Sequence, residues 1–482
     1  MIRPGPRAGV AIAIACVAVA GCTATVSGSG SAASRSGPMS SPTSSATGTP
    51  ATGDCPATYA APDPNRPRVS LTFVVSRDLT SVDGREHIVF VPDRPITELV
   101  FRLTANTAPS VDEGNAIKVT KAVADHGAGP ATYTRAGAAS ASQGGLLHIP
   151  FPSQVAAGTT VTADLDFTVT LGDQSFDRFG RTDSGDKRFA WFASAHPLLA
   201  WERGFGWHTE DMLQFTAESA TSEAMDTDLT VEAPSAMTVI ASGDPTPSAE
   251  TTTQLRSWHS HLAAARDVSV AVGPFADSRV SVGSTTLHLG AFSAAERDRL
   301  IPEFRRAITE LSKRFGPFPF PSLSVARLPA NGGGIEYPGS ILMLDGSRLV
   351  SVHETAHQWF YAMVGDSQAL HAWLDEAFAT YAEELVNEDG GHPQDLRVPG
   401  AVDRSTESYG SDVNDYYFIT YSKGSAALLA ARDAAGAAKW DAALRCYINK
   451  NAWRIANPND LRAAMAKLPA AVHVLEQAGA LH

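Results

Sequence analysis

The chain has 482 residues, of which 44% are hydrophobic and 18% are charged, and its formal net charge is -13. This length exceeds one ordinary hydrophobic core and predicts two or three domains. The excess of acidic residues argues against a nucleic-acid partner, because such proteins present basic surfaces to the phosphate backbone.

The first residues have the pattern of an export signal, which we predict over residues 1–21. Arg3 and Arg7 precede an apolar stretch that is too short to remain as a membrane-spanning helix. The small residues before Cys22 resemble a bacterial lipobox, in which the cysteine is lipidated and begins the mature chain. The alternative is a plain secretory signal that is cleaved near the same place.

Residues 22–59 form a predicted flexible tether. Most of this segment consists of Ser, Thr, Gly, Ala and Pro, with almost no large apolar side chain. Such a composition buries too little surface to offset the entropy of ordering the chain. Signal and tether together predict an extracytoplasmic protein that is anchored to the cell membrane by a lipid, or a secreted protein if Cys22 is not acylated.

The cysteines suit an exported protein. Cys16 leaves with the signal and Cys22 is the lipidation candidate, so Cys55 and Cys446 remain. In an oxidising compartment a disulfide between these two is one prediction, and two unpaired thiols are the alternative.

The next segment, residues 60–285, has the patterns of an antiparallel β domain of the saddle or sandwich type. Hydrophobic residues alternate with polar ones over 69–75 and 161–171, which is typical of half-buried strands. Asp83-Gly84 predicts a turn between strands. Further strand-like runs occur at 229–233, 238–241 and 268–272.

The pattern becomes helical near Ser293, which forms a predicted helix cap with Glu296. Apolar residues then recur at helical spacing until Gly316-Pro317 ends the helix. Pro302 interrupts this pattern, so we predict a regular helix only after it. Short strands are expected at 323–328 and 341–344. Residues 286–482 are therefore predicted to be a mixed domain, with a small sheet followed by helices.

One segment of this second domain carries a metal-binding pattern, His353-Glu354-Thr355-Ala356-His357. An apolar stripe through Val352, Trp359 and Met363 predicts that it is helical. Residues four apart lie on one face of a helix, so both imidazoles can bind one ion. Glu354 lies between them, where a general base for a water on zinc belongs.

A third ligand follows at a suitable distance, because eighteen residues separate His357 from Glu376. The break at Gly365-Asp366-Ser367 allows Glu376 to return on a second helix that faces the first. Two histidines and one carboxylate leave a fourth position open for water, which is typical of a catalytic site with one Zn²⁺ ion. Asp375 is either a second carboxylate that orients a ligand or an ordinary helix-surface acid.

This spacing, within Trp-Leu-Asp-Glu-Ala-Phe-Ala-Thr-Tyr, resembles the aminopeptidase N family of gluzincin zinc metallopeptidases. The sequence is similar to a bacterial lipoprotein member of the actinobacterial type. The segment from Gly333 to Tyr337 resembles the family's Gly-x-Met-Glu-Asn motif, with Ile and Tyr in place of Met and Asn. Tyr421-Ser422-Lys423-Gly424 resembles its Tyr-x-Lys-Gly segment. The resemblance implies an N-terminal β saddle joined to a thermolysin-like catalytic domain.

The resemblance also implies roles for single residues. Glu336, together with Gly333 and Gly334, would bind the α-amino group of the substrate, and Tyr421 would donate its hydroxyl to the developing oxyanion. The alternatives are a solvated strand residue for Glu336 and a packed aromatic side chain for Tyr421. No clear match exists to the family's Gln/Glu pair in the β domain, for which 200–203 is a candidate substitute. The chain continues for only about a hundred residues after Glu376, without the long C-terminal helical domain that encloses the cleft in larger members of the family, so the cleft is expected to be more open.

The sequence therefore predicts a zinc metallopeptidase, and specifically an aminopeptidase that acts on peptides. A thermolysin-like endopeptidase that does not use Glu336 is one alternative. A noncatalytic surface-binding lipoprotein is another, although such a protein would have no need for all three ligands and the base. The sequence does not determine the oligomeric state.

Overall fold

The structure is a computed structural model that describes residues 55–173, 178–183, 187–212, 215, 221–250, 254–329 and 332–482. The predicted signal peptide, Cys22 and the tether up to residue 54 lie outside the described residues. Residues 56–59, at the end of the predicted tether, belong to the folded unit Pro56–His482. The hydroxyl of Tyr59, for example, donates a hydrogen bond to the carbonyl oxygen of Pro317.

The first half of the described chain consists mainly of strands. They are β1 (Arg68–Val75), β2 (Ser81–Phe90), β3 (Ile96–Arg102), β4 (Ala116–Ala124), β5 (Thr132–Thr134), β6 (Leu146–Val155), β7 (Val161–Thr170), β8 (Phe179–Thr182), β9 (Phe189–Ala193), β10 (Leu198–Leu199), β11 (Trp201–Glu202), β12 (Gly206–Trp207), β13 (Met225–Pro234), β14 (Thr238–Ala241), β15 (Thr246–Glu250), β16 (Leu255–Ala265) and β17 (Ser269–Gly273). A 3-10 turn, Thr104–Asn106, and the short helix α1 (Ala108–Asp112) lie between β3 and β4.

These strands form three main sheets among the described residues. The largest has seven strands in the order β15-β16-β13-β1-β2-β7-β4, and two four-stranded sheets have the orders β10-β3-β6-β5 and β14-β17-β9-β8. One hydrophobic core, which includes Phe73, Phe90 and Phe167, joins residues of all three. The prediction of a sheet-rich N-terminal part is confirmed, with one parallel pair, β1 and β13, in the otherwise antiparallel large sheet. A parallel pair is feasible because a long stretch of chain separates the two strands.

The turn predicted at Asp83-Gly84 is wrong, because both residues lie inside β2. Gly84 pairs with Phe73 on one side and with Phe167 on the other. A Cβ atom on Gly84 would lie 2.1 Å from the ring of Phe167. Glycine is therefore needed here because an aromatic ring lies across the strand, which is a packing requirement and not a turn.

The second half combines a smaller sheet with helices. Its elements are β18 (Ala276–Val282), β19 (Thr285–Ala291), α2 (Ala294–Phe315), β20 (Ser322–Arg327), β21 (Gly334–Tyr337), β22 (Ser340–Met343), α3 (Arg348–Ala356), β23 (Gly365–Asp366), α4 (Gln368–His371), α5 (Trp373–Asn387), α6 (Val413–Tyr417), α7 (Gly424–Ala435), α8 (Ala437–Asn451), β24 (Ile455–Ala456), α9 (Pro458–Ala464) and α10 (Pro469–Gln477). Two 3-10 segments, Pro393–Arg397 and Thr406–Tyr409, and a π-helix, Phe418–Lys423, lie among the helices.

The smaller sheet has the strand order β18-β19-β20-β22-β21, so β21 is an edge strand. The helices pack around a second core that contains Trp359, Trp373 and Trp440. This arrangement confirms the predicted mixed α/β and helical C-terminal part. The domain boundary predicted after residue 285 falls at the β18–β19 hairpin and stays a prediction. Among the described helices, none combines the length and the apolar character that crossing a membrane requires.

The helix α2 runs through Pro302, so the prediction of a regular helix only after this proline is wrong. Ser293 caps the first turn, as predicted, by accepting a backbone hydrogen bond at 3.2 Å. Pro302 faces solvent, whereas Leu300 and Phe304 on either side of it are fully buried. Their burial offsets the backbone hydrogen bond that a proline inside a helix cannot donate.

Candidate active site and metal centre

The two predicted histidine ligands lie at the C-terminal end of α3. Ser347 caps the other end of this helix by accepting a backbone hydrogen bond at 3.3 Å. His353 lies in the last turn and His357 directly follows the last helical residue. Their ring centroids are 4.8 Å apart. The spacing of four residues therefore brings both imidazoles to one place, as predicted.

The helix ends earlier than its apolar stripe predicted, because Trp359 and Met363 lie in turns beyond it. Arg266, from the sheet-rich part of the chain, contacts the turns that follow the helix. Its buried guanidinium donates to the carbonyl oxygens of Tyr361 at 2.9 Å and Met363 at 3.4 Å. These carbonyl groups are thus satisfied without a continuing helix.

Glu376 completes the predicted ligand set from the first turn of α5. Its Oε2 atom lies 3.2 Å from Nε2 of His353 and 3.5 Å from Nε2 of His357. Ligand atoms at the corners of a tetrahedron around zinc are separated by about 3.4 Å, given metal–ligand distances near 2.1 Å. The three donor atoms therefore have the chemistry and the spacing that fit one zinc ion.

Two further carboxylates contact the Nδ1 atoms of the two histidines, on the side of each ring away from Glu376. Oδ1 of Asp375 lies 2.5 Å from Nδ1 of His357, and Asp375 is completely buried. This geometry agrees with the prediction that Asp375 orients a ligand, and it does not agree with the alternative of an acidic residue on the helix surface. Glu383 lies 3.4 Å from Nδ1 of His353 and was missed. It follows Glu376 by seven residues on α5, which is two helical turns, so the sequence contained a signal for it.

The electrostatics of the site favour a cation. Burial disfavours charge on His353, but its contacts with Glu376 and Glu383 outweigh this effect and raise its pKa to about 10. The pKa of Glu376 is lowered, because the two histidines outweigh the effect of its burial. A proton and a divalent cation compete for the same imidazole lone pair, so carboxylates that attract one also attract the other.

Glu354, the predicted base, is buried and presents a free oxygen to the site. Its Oε2 atom has no hydrogen-bond partner among the described residues. Burial raises its pKa to about 7, against the lowering effect of the two histidines. A Cβ atom on Gly334 would lie 2.5 Å from the Glu354 carboxyl carbon. Gly334 thus leaves the space that this carboxylate occupies. This role differs from the predicted one, in which Gly334 helps to bind the substrate.

Glu336 lies on β21, and its side chain is only 4% exposed. The alternative of a solvated strand residue is therefore wrong. A carboxylate oxygen of Glu336, one of Glu354 and a ring nitrogen of His357 all lie within 4.8 Å of one another. The neighbouring Gly333 uses its carbonyl oxygen to accept the N–H groups of Leu344 and Asp345. Two buried carboxylates thus meet beside His357, one of the predicted ion ligands.

Tyr421 lies on the π-helix Phe418–Lys423, and its ring runs parallel to that of His353 with centroids 6.0 Å apart. Lys423 anchors this helix from inside the protein by donating hydrogen bonds to the carbonyl oxygens of Val398 and Gly400. π-helical turns are common at functional sites. The ring of Tyr421 is thus held beside the ring of His353.

Other candidates lie in separate clusters. Within the suggested substitute at 200–203, Glu202 pairs with His208 at 2.8 Å. His371 pairs with Asp403 at 2.7 Å. Cys55 and Cys446 are both disulfide-bonded, which agrees with the predicted disulfide and not with two unpaired thiols.

The sequence and the structure resemble known zinc peptidases. No protein-family model matches the chain. Aminopeptidase M1-A from Oryza sativa subsp. japonica is 26% identical over 191 residues, which are 31% of this chain and 21% of that protein. Aminopeptidase M1 from Arabidopsis thaliana is 26% identical over 184 residues, which are 31% of this chain and 21% of that protein. The chain thus matches only 21% of the length of these relatives.

Solved structures match over much more of the chain. An M1 zinc metallopeptidase from Deinococcus radiodurans has a TM-score of 0.62 at 21% identity, with 86% of this chain and 94% of that chain covered. A variant of a two-domain M1 zinc metallopeptidase bound to L-arginine has a TM-score of 0.63 at 20% identity and the same coverage. The protein therefore has the fold of the two-domain M1 zinc metallopeptidases, a sheet-rich N-terminal part followed by a helical C-terminal part.

Proposed function

We propose that this protein is a zinc-dependent aminopeptidase of the M1 family, which releases N-terminal residues from peptides. One observation carries the proposal: three ion ligands, a base and a second buried carboxylate meet in one site. His353, His357 and Glu376 would hold one zinc ion, Glu354 would serve as the base, and Glu336 would bind the substrate amine. The relatives named aminopeptidase and the neighbours named zinc metallopeptidase support this assignment.

A bound zinc ion supplies Lewis acidity at the scissile carbonyl and lowers the pKa of a water molecule. Glu354 accepts a proton from the attacking water and transfers it to the leaving amine. Its buried position, with one oxygen free of hydrogen bonds among the described residues, suits this task. Tyr421 donates a hydrogen bond to the negative charge that develops on the substrate oxygen.

Glu336 distinguishes an aminopeptidase from an endopeptidase in this proposal. A buried carboxylate stabilises a protonated amine strongly, because little water screens the interaction. A peptide with a blocked N-terminus would place no positive charge beside this carboxylate. One of the structural neighbours was solved with a Tyr-Ser-Ala substrate, and a short peptide with a free N-terminus is the substrate class that we propose here.

We also propose that the protein is lipid-anchored at Cys22 and acts outside the cytoplasm. The basic and apolar start of the sequence, the small residues before Cys22 and the polar tether support this part of the proposal. A Cys22→Ser variant tests it. Fractionation should move the protein from the membrane to the soluble extracytoplasmic fraction, whereas continued membrane association would contradict lipidation at this cysteine.

The activity is tested with the zinc-loaded protein and two tripeptides, Tyr-Ser-Ala and its N-acetyl form. We expect one zinc ion per chain and release of tyrosine from the free peptide only. Equal cleavage of both peptides would favour the endopeptidase alternative. Stoichiometric zinc without cleavage of either peptide would favour the noncatalytic binding protein.

A further inference from the structure

The strand that carries Glu336 needs support from outside its own sheet. Strand β21 has only four residues and lies at the edge of the five-stranded sheet, where β22 is its one partner strand among the described residues. The ladder fixes which residues face each other. It leaves the tilt of a short edge hairpin toward α3 less restricted, because no strand in the described part of the chain pairs with its other side. The distance from Glu336 to the metal ligands therefore depends on other contacts.

The turn of this hairpin has buried backbone groups that need partners. Pro338 is followed by Gly339, whose φ of +63° lies in the left-handed region. A proline followed by a glycine with positive φ is the signature of a type II turn, in which the N–H of the glycine points away from the hairpin. Gly339 is buried, so this N–H requires an acceptor inside the protein.

Gln358 supplies this acceptor and also uses the other half of its amide. Its Oε1 atom accepts the N–H of Gly339 at 2.8 Å, and its Nε2 donates to the carbonyl oxygen of Tyr337 at 3.1 Å. The side chain is completely buried. A buried amide with both ends satisfied by one backbone turn is a rigid connection, because breaking either bond leaves a polar group unpaired.

We infer that Gln358 is a positioning residue that sets the separation between Glu336 and the ion-binding histidines, and thereby the preference for a free N-terminus. Gln358 directly follows His357, and Tyr337 directly follows Glu336. The amide therefore joins the two functional residues with one residue of backbone on each side. This inference rests on the proposed aminopeptidase activity and names what holds its amine-binding group in place.

Contacts on the other side of the hairpin explain why it should move, and not unfold, when Gln358 is changed. The hydroxyl of Tyr337 lies 3.3 Å from Oγ of Ser194, and Ser269 donates a hydrogen bond to Ser340 at 2.8 Å. Both serine partners, Ser194 and Ser269, belong to the sheet-rich part of the chain. Without Gln358 the hairpin keeps these anchors and its ladder but loses both hydrogen bonds to the segment that follows α3.

The experiment compares Gln358→Met, which keeps the length of the side chain and removes both hydrogen bonds, with the unchanged protein. We expect KM for Tyr-Ser-Ala to rise about tenfold, while zinc affinity from chelator competition stays the same. Gln358→Glu keeps an acceptor for Gly339 and loses the donor to Tyr337. Its KM should therefore lie between that of the unchanged protein and that of Gln358→Met. Gln358→Asn, shorter by one methylene, replaces the Met variant if that protein does not fold.

Asn451→Leu is the matched control. Asn451 is also a buried amide, and its Nδ2 donates to the carbonyl oxygen of Tyr447 at 2.9 Å, in a different part of the fold. This variant should lower the melting temperature without changing KM. If the Gln358 variants lower the melting temperature in the same way and leave KM unchanged, Gln358 has only a structural role and the inference is wrong.

A binding measurement separates this inference from the proposed function. Calorimetry with Tyr-Ser-Ala and its N-acetyl form is done on zinc-loaded Glu354→Gln, which should bind substrate without turnover. Preference for the free peptide supports amine recognition, and a loss of that preference in the double variant with Gln358→Met supports the role of Gln358. Equal binding of both peptides to Glu354→Gln itself contradicts the proposed amine recognition, and with it the role assigned to Gln358. A preference that survives the change at Gln358 contradicts only the inference.

Discussion

Nδ1 of His357 and Oδ1 of Asp375 lie 2.5 Å apart in a fully buried part of the site. A carboxylate that accepts the Nδ1 proton leaves the Nε2 lone pair directed at the metal position. It also fixes the rotation of the ring and makes the imidazole a better ligand. One aspartate, next to Glu376 in sequence, thereby determines how the second histidine can bind an ion.

Asp375→Asn should weaken zinc binding about 10–100-fold, because a neutral amide accepts the Nδ1 proton less strongly. The measurement is the zinc dissociation constant from competition with a chelator. Asp403→Asn is the control, since it alters a similar contact between His371 and an aspartate outside the ligand set. Equal effects of the two variants on zinc affinity would show that Asp375 has no specific influence on the ion.

Glu354→Gln should reduce kcat about 10²–10⁴-fold and leave the zinc content at one ion per chain. Glutamine has nearly the same shape but cannot accept a proton from water. Steady-state hydrolysis of Tyr-Ser-Ala, together with metal analysis of the purified protein, provides the test. Activity equal to that of the unchanged protein would remove Glu354 from its role as the base.

Gly334→Ala should impair activity through the position of Glu354. The new Cβ atom would lie 2.5 Å from the carboxyl carbon of Glu354, so this flexible side chain has to move. We expect a large fall in kcat with little change in melting temperature or zinc content. Gly129→Ala, whose Cβ atom would come no closer than 3.4 Å to Pro150, serves as the control and should keep full activity.

Tyr421→Phe should lower kcat about 10²–10³-fold with little effect on KM, because its hydroxyl interacts mainly with charge that develops in the transition state. The ring itself stays, so its packing beside His353 is retained. Tyr417→Phe removes a hydroxyl from a neighbouring ring, 5.0 Å away between centroids, and should leave kcat unchanged. Similar losses in both variants would contradict a specific role for Tyr421.

Glu384 should make the stability of the protein depend on pH. Burial raises its pKa to about 7, although its hydrogen bond with Ser425 lowers it. The folded state therefore holds this proton more tightly than the unfolded state, and stability declines as pH rises from the unfolded pKa toward 7 and above. Between pH 5 and pH 8, the free energy of unfolding of Glu384→Gln should therefore rise by about 2 kcal/mol relative to that of the unchanged protein.

Urea unfolding at both pH values measures this difference. Glu388→Gln is the control, because Glu388 is an exposed residue at the end of the same helix. The unfolding free energy of that variant should follow the unchanged protein at both pH values. A constant difference between Glu384→Gln and the unchanged protein at pH 5 and pH 8 would show that Glu384 does not bind the proton.

Local spacing along the sequence was enough to predict several parts of this protein. His353 and His357 are four residues apart at the end of one helix, and helical backbone geometry at this separation brings their rings together. Alternating hydrophobic residues likewise predicted strands such as β1 and β7, because the side chains of a strand point alternately to its two faces. Glu376 could be predicted from its spacing as well, once the break before its helix was recognised.

Features that depend on chain segments far apart in sequence could not be predicted in this way and were found only in the folded chain. Asp83-Gly84 has the residues of a turn, but the ring of Phe167 from another strand requires the glycine. Pro302 stays inside a helix because buried neighbours hold it there. The contact of Gln358 with the turn of the Glu336 hairpin has no sequence signal. Which backbone group a buried amide meets is set by packing between elements, and local spacing carries no information about that packing.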